Sequence, residues 1–408
     1  MKTFDVPIIY RSPLISAIKR KRKEQDRMKK DFTPTLLDFG PLRIYLARHF
    51  GFCYGVENAI DIAFKTIEEN KGKRIFLLSE MIHNPQVNKD LTSQGVNFLQ
   101  DTSGKQITPF EELTADDIVL IPAFGTTLEI EKKLKDIGIA IENYDTTCPF
   151  VEKVWNRSEV IAKNSYTIII HGKPQHEETR ATFSHASANA PSVVVRDMEQ
   201  AQQLAKYITG EKSAALFYDE FKNQYSTGFN VEEDLQRIGV VNQTTMLASD
   251  TQAIADFIKE VMAEKYRLTE ENVRERFADT RDTLCYATND NQSAVTGMLH
   301  TTADLAIVVG GYNSSNTSHL VELCEEQLPT YYINSEEKLL SGHTIMHYDF
   351  HTKMELITEN YLPQKHPVSI LITSGASCPD ALVEGVIKKL AGFYPASISI
   401  DELIKQFQ

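Results

Sequence analysis

Three cysteines occupy equivalent places in this chain. Cys53 stands 30 residues before His83, Cys148 stands 28 before His176, and Cys285 stands 28 before Asn313. The run Asp145, Thr146, Thr147, Cys148 is echoed by Asp282, Thr283, Leu284, Cys285, and an aromatic residue follows each run within two positions. Cys324 and Cys378 lie outside the repeated position. If three such copies close around a common axis, their thiolates repel one another unless they hold something, and a soft metal accepts them. Structural zinc favours four protein ligands with paired spacing, and the chain has no CxxC pair, so zinc would need a histidine as its fourth ligand. A four-iron cluster ordinarily takes four cysteines. Three would leave one iron open to a substrate, acting as Lewis acid and electron source together.

The loops after these copies carry groups that suit an anion. His83 and His176 can donate to phosphate oxygens, as can Ser314, Ser315, Asn316 and Ser377, and loop-to-helix junctions offer backbone N–H groups to the same charge. That set implies a diphosphate more than a bare carboxylate. Within HEET, Glu178 is the carboxylate expected to face the centre, where partial desolvation would raise its proton affinity. It is the candidate proton donor, and Thr244 is placed to pass that proton to a substrate hydroxyl. Read singly, each residue has an ordinary explanation: a helix cap for Ser or Thr, a satisfied surface group for His, a buried thiol between the glycines Gly51 and Gly55 for Cys53.

An α/β repeat positions these residues. Each copy begins at a strand end, passes its cysteine, enters a helix and reaches a second strand about twenty residues later. After Cys53, the residues Val56, Ala59, Ile60, Ala63, Phe64 and Ile67 form a 3.6-period apolar stripe, followed by a strand near Ile75 to Leu78. After Cys148 come Val151, Val154, Trp155, Ile161 and Ala162, then a strand from Thr167 to Ile170 that empties into HGKPQHEET. After Cys285 come Ala294, Val295 and Met298, then the apolar run Leu305 to Val309, which empties into GGYNSSN. Each copy also has a later strand ending in small polar residues, in PAFGTT, NQTT and SGAS. Ligands of open parallel sheets sit outside the carboxyl ends of the strands, so these loops should face a shared centre. The expected fold is three similar α/β domains, residues 43–144, 145–281 and 282–408, in a pseudo-threefold arrangement around that shared centre. A basic extension, residues 1–42, precedes them and reads as a solvated helix capped near Ser12 and Pro13.

The chain has 408 residues and a net charge of −13, which argues against general nucleic-acid binding and asks that an anionic substrate find a local positive site. Five widely spaced cysteines do not form a secreted disulfide framework, no run of 18 apolar residues exists, and the first 30 residues lack an apolar signal block. A cytoplasmic protein without membrane contact is expected. Glu24 and Asp26 interrupt the basic run and serine is scarce, which disfavours an organellar transit peptide.

The motifs GFCYGV, DTTCPFVEKV, HGKPQHEET, NQTT, DTLCYAT, NSSN and SGASCPD, in this order from residue 43 onward, resemble those of the 4-hydroxy-3-methylbut-2-enyl diphosphate reductase family of the non-mevalonate isoprenoid pathway. The resemblance implies three α/β domains around a cavity and a [4Fe-4S] cluster on Cys53, Cys148 and Cys285, whose open iron takes the substrate hydroxyl. It implies a two-electron reductive dehydration of an allylic alcohol diphosphate to isopentenyl and dimethylallyl diphosphates, fed by a donor such as ferredoxin or flavodoxin. Glu178 would be the acid, Thr244 the hydroxyl relay, and His83, His176, Ser314, Asn316 and Ser377 the diphosphate grip, with Ser315 in the same loop. Many bacterial members have a histidine where this chain has Phe124. That residue, the N-terminal extension and an insertion around 207–236 resemble the plant and cyanobacterial branch, and Thr126 or Thr127 is expected to replace the missing donor in part. Two other classes fit the cysteines: a non-catalytic iron-sulfur carrier or sensor, and a zinc-stabilised binding protein.

Overall fold

The structure is a computed structural model that describes residues 4–278, 283–395 and 398–407; Asp282, in the run before the third cysteine, lies outside them. Two compact units are present. One comprises Met1–Asp61, Ile82–Lys89 and Tyr286–Gln408, the other Ile62–Met81 and Asp90–Cys285.

The first unit is built on a five-stranded sheet in the order Thr35–Asp38, Leu42–Leu46, Val368–Ser374, Leu305–Val309, Thr330–Ile333. The first pair is antiparallel and the others are parallel. Leu305–Val309 is buried at every position, as a continuous apolar run in a parallel sheet covered on both faces should be. The helices Tyr286–Leu299, Ser315–Glu325 and Asp380–Gly392 contribute Met298, Leu320 and Ile387 to the same core. Ser12 caps the helix Pro13–Gln25 as its sequence indicates: its Oγ accepts from the Ile15 N–H at 2.9 Å, with proline in the first turn. That helix is not a solvated one, however. Leu14, Ile15 and Ile18 are buried in the core, and the Ser12 hydroxyl bonds the buried Glu384 carboxylate. The helix lies against Asp380–Gly392 and Ile400–Lys405, partners too distant in sequence to be read from the basic run itself.

The second unit holds two three-stranded parallel sheets. One has Ile75–Leu77 between Asn97–Phe98 and Ile118–Leu120, the other Thr167–His171 between Ser192–Val195 and Ile238–Asn242. The same plan appears in the first unit, where Leu305–Val309 lies between Thr330–Ile333 and Val368–Ser374. In all three, the strand that follows a cysteine-led helix is central, the next strand flanks one side, and the strand ending in small polar residues flanks the other. The α/β class expected from the repeat is the class observed. The apolar stripes after the cysteines form the helices Tyr54–Glu69, Pro149–Lys163 and Tyr286–Leu299.

The insertion around residues 207–236 packs as an aromatic cluster, with Phe217 stacked on Phe221 at 4.8 Å and on Phe229 at 5.3 Å and meeting Tyr207 edge-on at 5.3 Å. Among the described residues no helix is long and apolar enough to cross a membrane.

Candidate active site

In the second unit, the loop after Thr167–His171 delivers His176 as the cap of the helix Glu177–Ser187. Its Nδ1 accepts from the Glu178 N–H at 3.2 Å, so the neutral ring carries its proton on Nε2 and presents that nitrogen as a donor. Glu178 is 1% exposed. Its carboxylate accepts twice from one residue, from the Thr244 N–H at 2.5 Å and from the Thr244 hydroxyl at 3.0 Å. A threonine hydroxyl that donates to a carboxylate keeps its lone pairs for another hydroxyl. Carboxylate and hydroxyl are thus held together as one hydrogen-bonded pair.

Gln243 braces this pair. Its Oε1 accepts from the Lys173 N–H at 3.1 Å and the Thr179 hydroxyl at 3.0 Å, which ties NQTT to HGKPQHEET. Asn242 and Thr283 exchange bonds on the other side: the Asn242 N–H donates to the Thr283 hydroxyl and the Thr283 N–H to Asn242 Oδ1, each at 3.0 Å. The Cys285 N–H then donates to the Thr244 carbonyl at 3.2 Å. Sequence reasoning passed over Gln243, although it named the motif that contains it, because a buried hub makes no chemistry of its own.

Cys148 caps the helix Pro149–Lys163, and its N–H donates to the Ala123 carbonyl at 3.0 Å, which joins it to the PAFGTT loop. Burial pushes the Cys148 thiol up to about 12, and charge on Cys285 or Glu178 would push in the same direction. Cys148, Cys285, Glu178 and Thr244 therefore form one constellation, in which a second anion is disfavoured unless a cation joins it. A bound metal centre reverses that balance and deprotonates its thiols. Cys53, Cys148 and Cys285 each stand at the start of a helix, where the N–H groups also favour thiolate. A thiol at such a position is the type of donor that a soft metal accepts, although among the described residues no three potential ligands are grouped to hold one.

Phe124 sets its ring edge-on to His176 at 5.6 Å. Gly125, at φ +75°, brings the backbone so close to Trp155 that a Cβ there would sit 2.6 Å from the indole. Trp155 stacks on His185 at 3.7 Å, and His185 Nε2 lies 3.2 Å from the Thr126 carbonyl. The two threonines then differ. Thr127 caps the helix Leu128–Ile137 with its side chain, whereas the buried Thr126 hydroxyl has no partner.

In the first unit, GGYNSSN leads into the helix Ser315–Glu325, with Ser314 as cap accepting from the Thr317 N–H at 3.2 Å. The Ser315 hydroxyl and Asn316 Nδ2 are buried and lack a partner, an expensive state that an anion would relieve. Asn316 Oδ1 accepts from the Ala376 N–H at 2.9 Å, and the Ala376 carbonyl accepts from the Cys53 N–H at 3.1 Å. Ser377 donates to the His83 carbonyl at 3.2 Å. That carbonyl lies where a Cβ on Gly311 would collide with it, which is why glycine stands there. His83, Ser314, Ser315, Asn316, Ser377 and the Cys53 backbone are thus brought together, with all five side chains below a tenth exposed.

The model of the LytB protein family matches residues 44–391. A 4-hydroxy-3-methylbut-2-enyl diphosphate reductase of Picosynechococcus is 39% identical over 382 residues, covering 93% of this chain and 89% of the relative. One from Microcystis aeruginosa is 40% identical over 358 residues, covering 88% and 86%. Two solved structures share the fold. A structure of (E)-4-hydroxy-3-methyl-but-2-enyl diphosphate reductase, the terminal enzyme of the non-mevalonate pathway, aligns at TM-score 0.51 and 25% identity over 86% of this chain and 99% of its own. The corresponding reductase of Plasmodium falciparum aligns at TM-score 0.60 and 23% identity, over 86% and 87%.

Proposed function

We infer, since the chain belongs to the LytB family, that it reduces 4-hydroxy-3-methylbut-2-enyl diphosphate to isopentenyl and dimethylallyl diphosphates. When bound, a [4Fe-4S] cluster on Cys53, Cys148 and Cys285 would supply a Lewis-acidic iron and a relay for two electrons. The rest falls to side chains. Ser314, Ser315, Asn316, Ser377, His83 and His176 grip the diphosphate; the unpartnered Ser315 hydroxyl and Asn316 amide support that role. Two electrons and two protons enter, the allylic C–O bond breaks, the hydroxyl leaves as water, and a C–H bond forms. Glu178 holds the proton, and Thr244 carries it to the departing hydroxyl.

The observation that carries this reading is the two-point bond between Glu178 and Thr244 beside two cysteines. A non-catalytic carrier or a zinc-stabilised binder has no use for a buried acid joined to a hydroxyl. Glu178→Gln should keep its iron and its brown colour while turnover with a chemical reductant falls by about 10² to 10⁴ under anaerobic conditions. Unchanged turnover would remove Glu178 from its role. A colourless wild-type protein with stoichiometric zinc would end the cluster reading.

A further inference from the structure

The segment Lys19–Lys30 carries eight basic residues against two acidic ones, in a chain whose net charge is −13. Its inner contacts lead directly to the backbone around two of the cysteines. Lys19 pairs with Asp380 at 2.7 Å and lies 4.8 Å over the Phe50 ring, and this ion pair covers Gly51, two residues before Cys53. Farther along, Lys29 reaches Asp290 at 3.8 Å and lies 5.8 Å over the ring of Tyr286, the residue after Cys285. The Tyr286 hydroxyl accepts from the N–H of Tyr54, the residue after Cys53, at 3.1 Å. The segment therefore lies directly over the peptides that carry Cys53 and lead away from Cys285.

Its outer face is different. Arg20, Lys23, Arg27 and Lys30 are exposed, and Met28 among them is 73% exposed. Positive charge around one large apolar side chain is the pattern of a transient docking face, in which the charges steer encounter and the apolar residue anchors it. On an acidic protein, such a patch repels cations and selects a partner of the opposite sign. The reduction needs two electrons per substrate, and a one-electron carrier must dock twice to supply them.

We propose that Arg20, Lys23, Arg27, Met28 and Lys30 form the docking face for a small acidic one-electron carrier protein, which gives up one electron at each encounter. The proposal rests on the reductase reading above. Its test uses the full-length holoenzyme with reduced plant-type ferredoxin as the probe, in parallel with dithionite and a viologen. The triple variant R20E/K23E/K30E should lower ferredoxin-driven kcat/KM at least tenfold and flatten its fall with salt, while the viologen-driven rate stays at the wild-type value. K132E/K163E/K389E, the same charge change elsewhere, should leave both rates unaltered. Binding of oxidised ferredoxin, followed calorimetrically, should weaken in the first variant only.

Equal ferredoxin affinity and kinetics in wild type and R20E/K23E/K30E would overturn the proposal. A parallel loss of the viologen-driven rate would overturn it too, since the patch would then act on chemistry and not on delivery. So would binding of the patch to anionic phospholipid vesicles without effect on ferredoxin. If the wild type shows no viologen-driven turnover, the reductase reading fails instead, and the calorimetric comparison still decides whether the face binds an acidic carrier.

Discussion

At the scale of single residues, the contact between Glu178 and Thr244 was legible because buried polar groups of these types must find partners. A buried glutamate preceded by a histidine, and a threonine at the end of a buried strand, need partners, and Glu178 and Thr244 supply them to each other. What the sequence did not separate was Thr126 from Thr127, because a cap and an orphaned hydroxyl look alike until the helix start is known. The structure divides them, and two opposite outcomes follow. Thr126→Val removes a buried hydroxyl that has no partner, so thermal stability without ligand should hold or rise, while KM for the diphosphate should increase several-fold. Thr127→Ala should do the reverse: lose about 1 kcal/mol of stability with the cap and leave KM unaltered. Thermal melts and initial rates on the two variants check both signs. Equal KM values in both variants and wild type would remove either threonine as a substitute for the histidine.

At the scale of elements, the capping signal at Ser12 and Pro13 located a helix but not its buried side. The charges from Lys19 to Lys23 dominate the pattern, while the residues that cover Leu14, Ile15 and Ile18 come from the other end of the chain. Gly51 carries a similar lesson. In sequence it is only a glycine that flanks Cys53, yet its Cα faces the Asp380 carboxylate and the Lys19 ammonium, at φ +79°. The glycine is needed for a left-handed turn and for close approach of that ion pair. Gly51→Ala should therefore cost about 2 kcal/mol or more, from roughly 1–2 kcal/mol of backbone strain plus displacement of Asp380. Asp380→Ala in the same background should recover part of the loss, because it removes the atom that the new methyl strikes. Denaturant midpoints for the two single variants and the double variant measure that coupling.

At the scale of the whole molecule, one sheet plan written three times explains why the repeat was readable: each copy must solve the same local problem, and solves it with the same residue types in the same order. The two strands Thr35–Asp38 and Leu42–Leu46, which extend one sheet at its edge, carry no such repeat and were absorbed into their surroundings. A global consequence attaches to the second of them. His49, three residues past its end, is pushed down to about 4, chiefly by burial and further by the Arg48 and Lys29 charges, and its Nε2 is buried without a partner. The unfolded chain therefore binds this proton more tightly than the folded one. The stability at stake is fully present above pH 6.5, is lost as pH falls from 6.5 towards 4, and changes no further below that. Full burial would make the loss about 3 kcal/mol, and partial exposure reduces it to ~1–2 kcal/mol. His185 and His347 shift in the same direction and add to this slope, while the carboxyls of Glu57, Glu131, Glu152 and Asp290, raised by burial, work against it. Depressed carboxylates such as Asp117 titrate below this window, and protonation first reduces the net charge of −13, so self-repulsion cannot produce the slope. His49→Phe keeps the contact with Phe32 and should make the stability curve shallower between pH 6.5 and 4 by the share that His49 carries, measured by urea unfolding at half-unit intervals. A wild-type slope that persists in the variant would place the titrating group elsewhere.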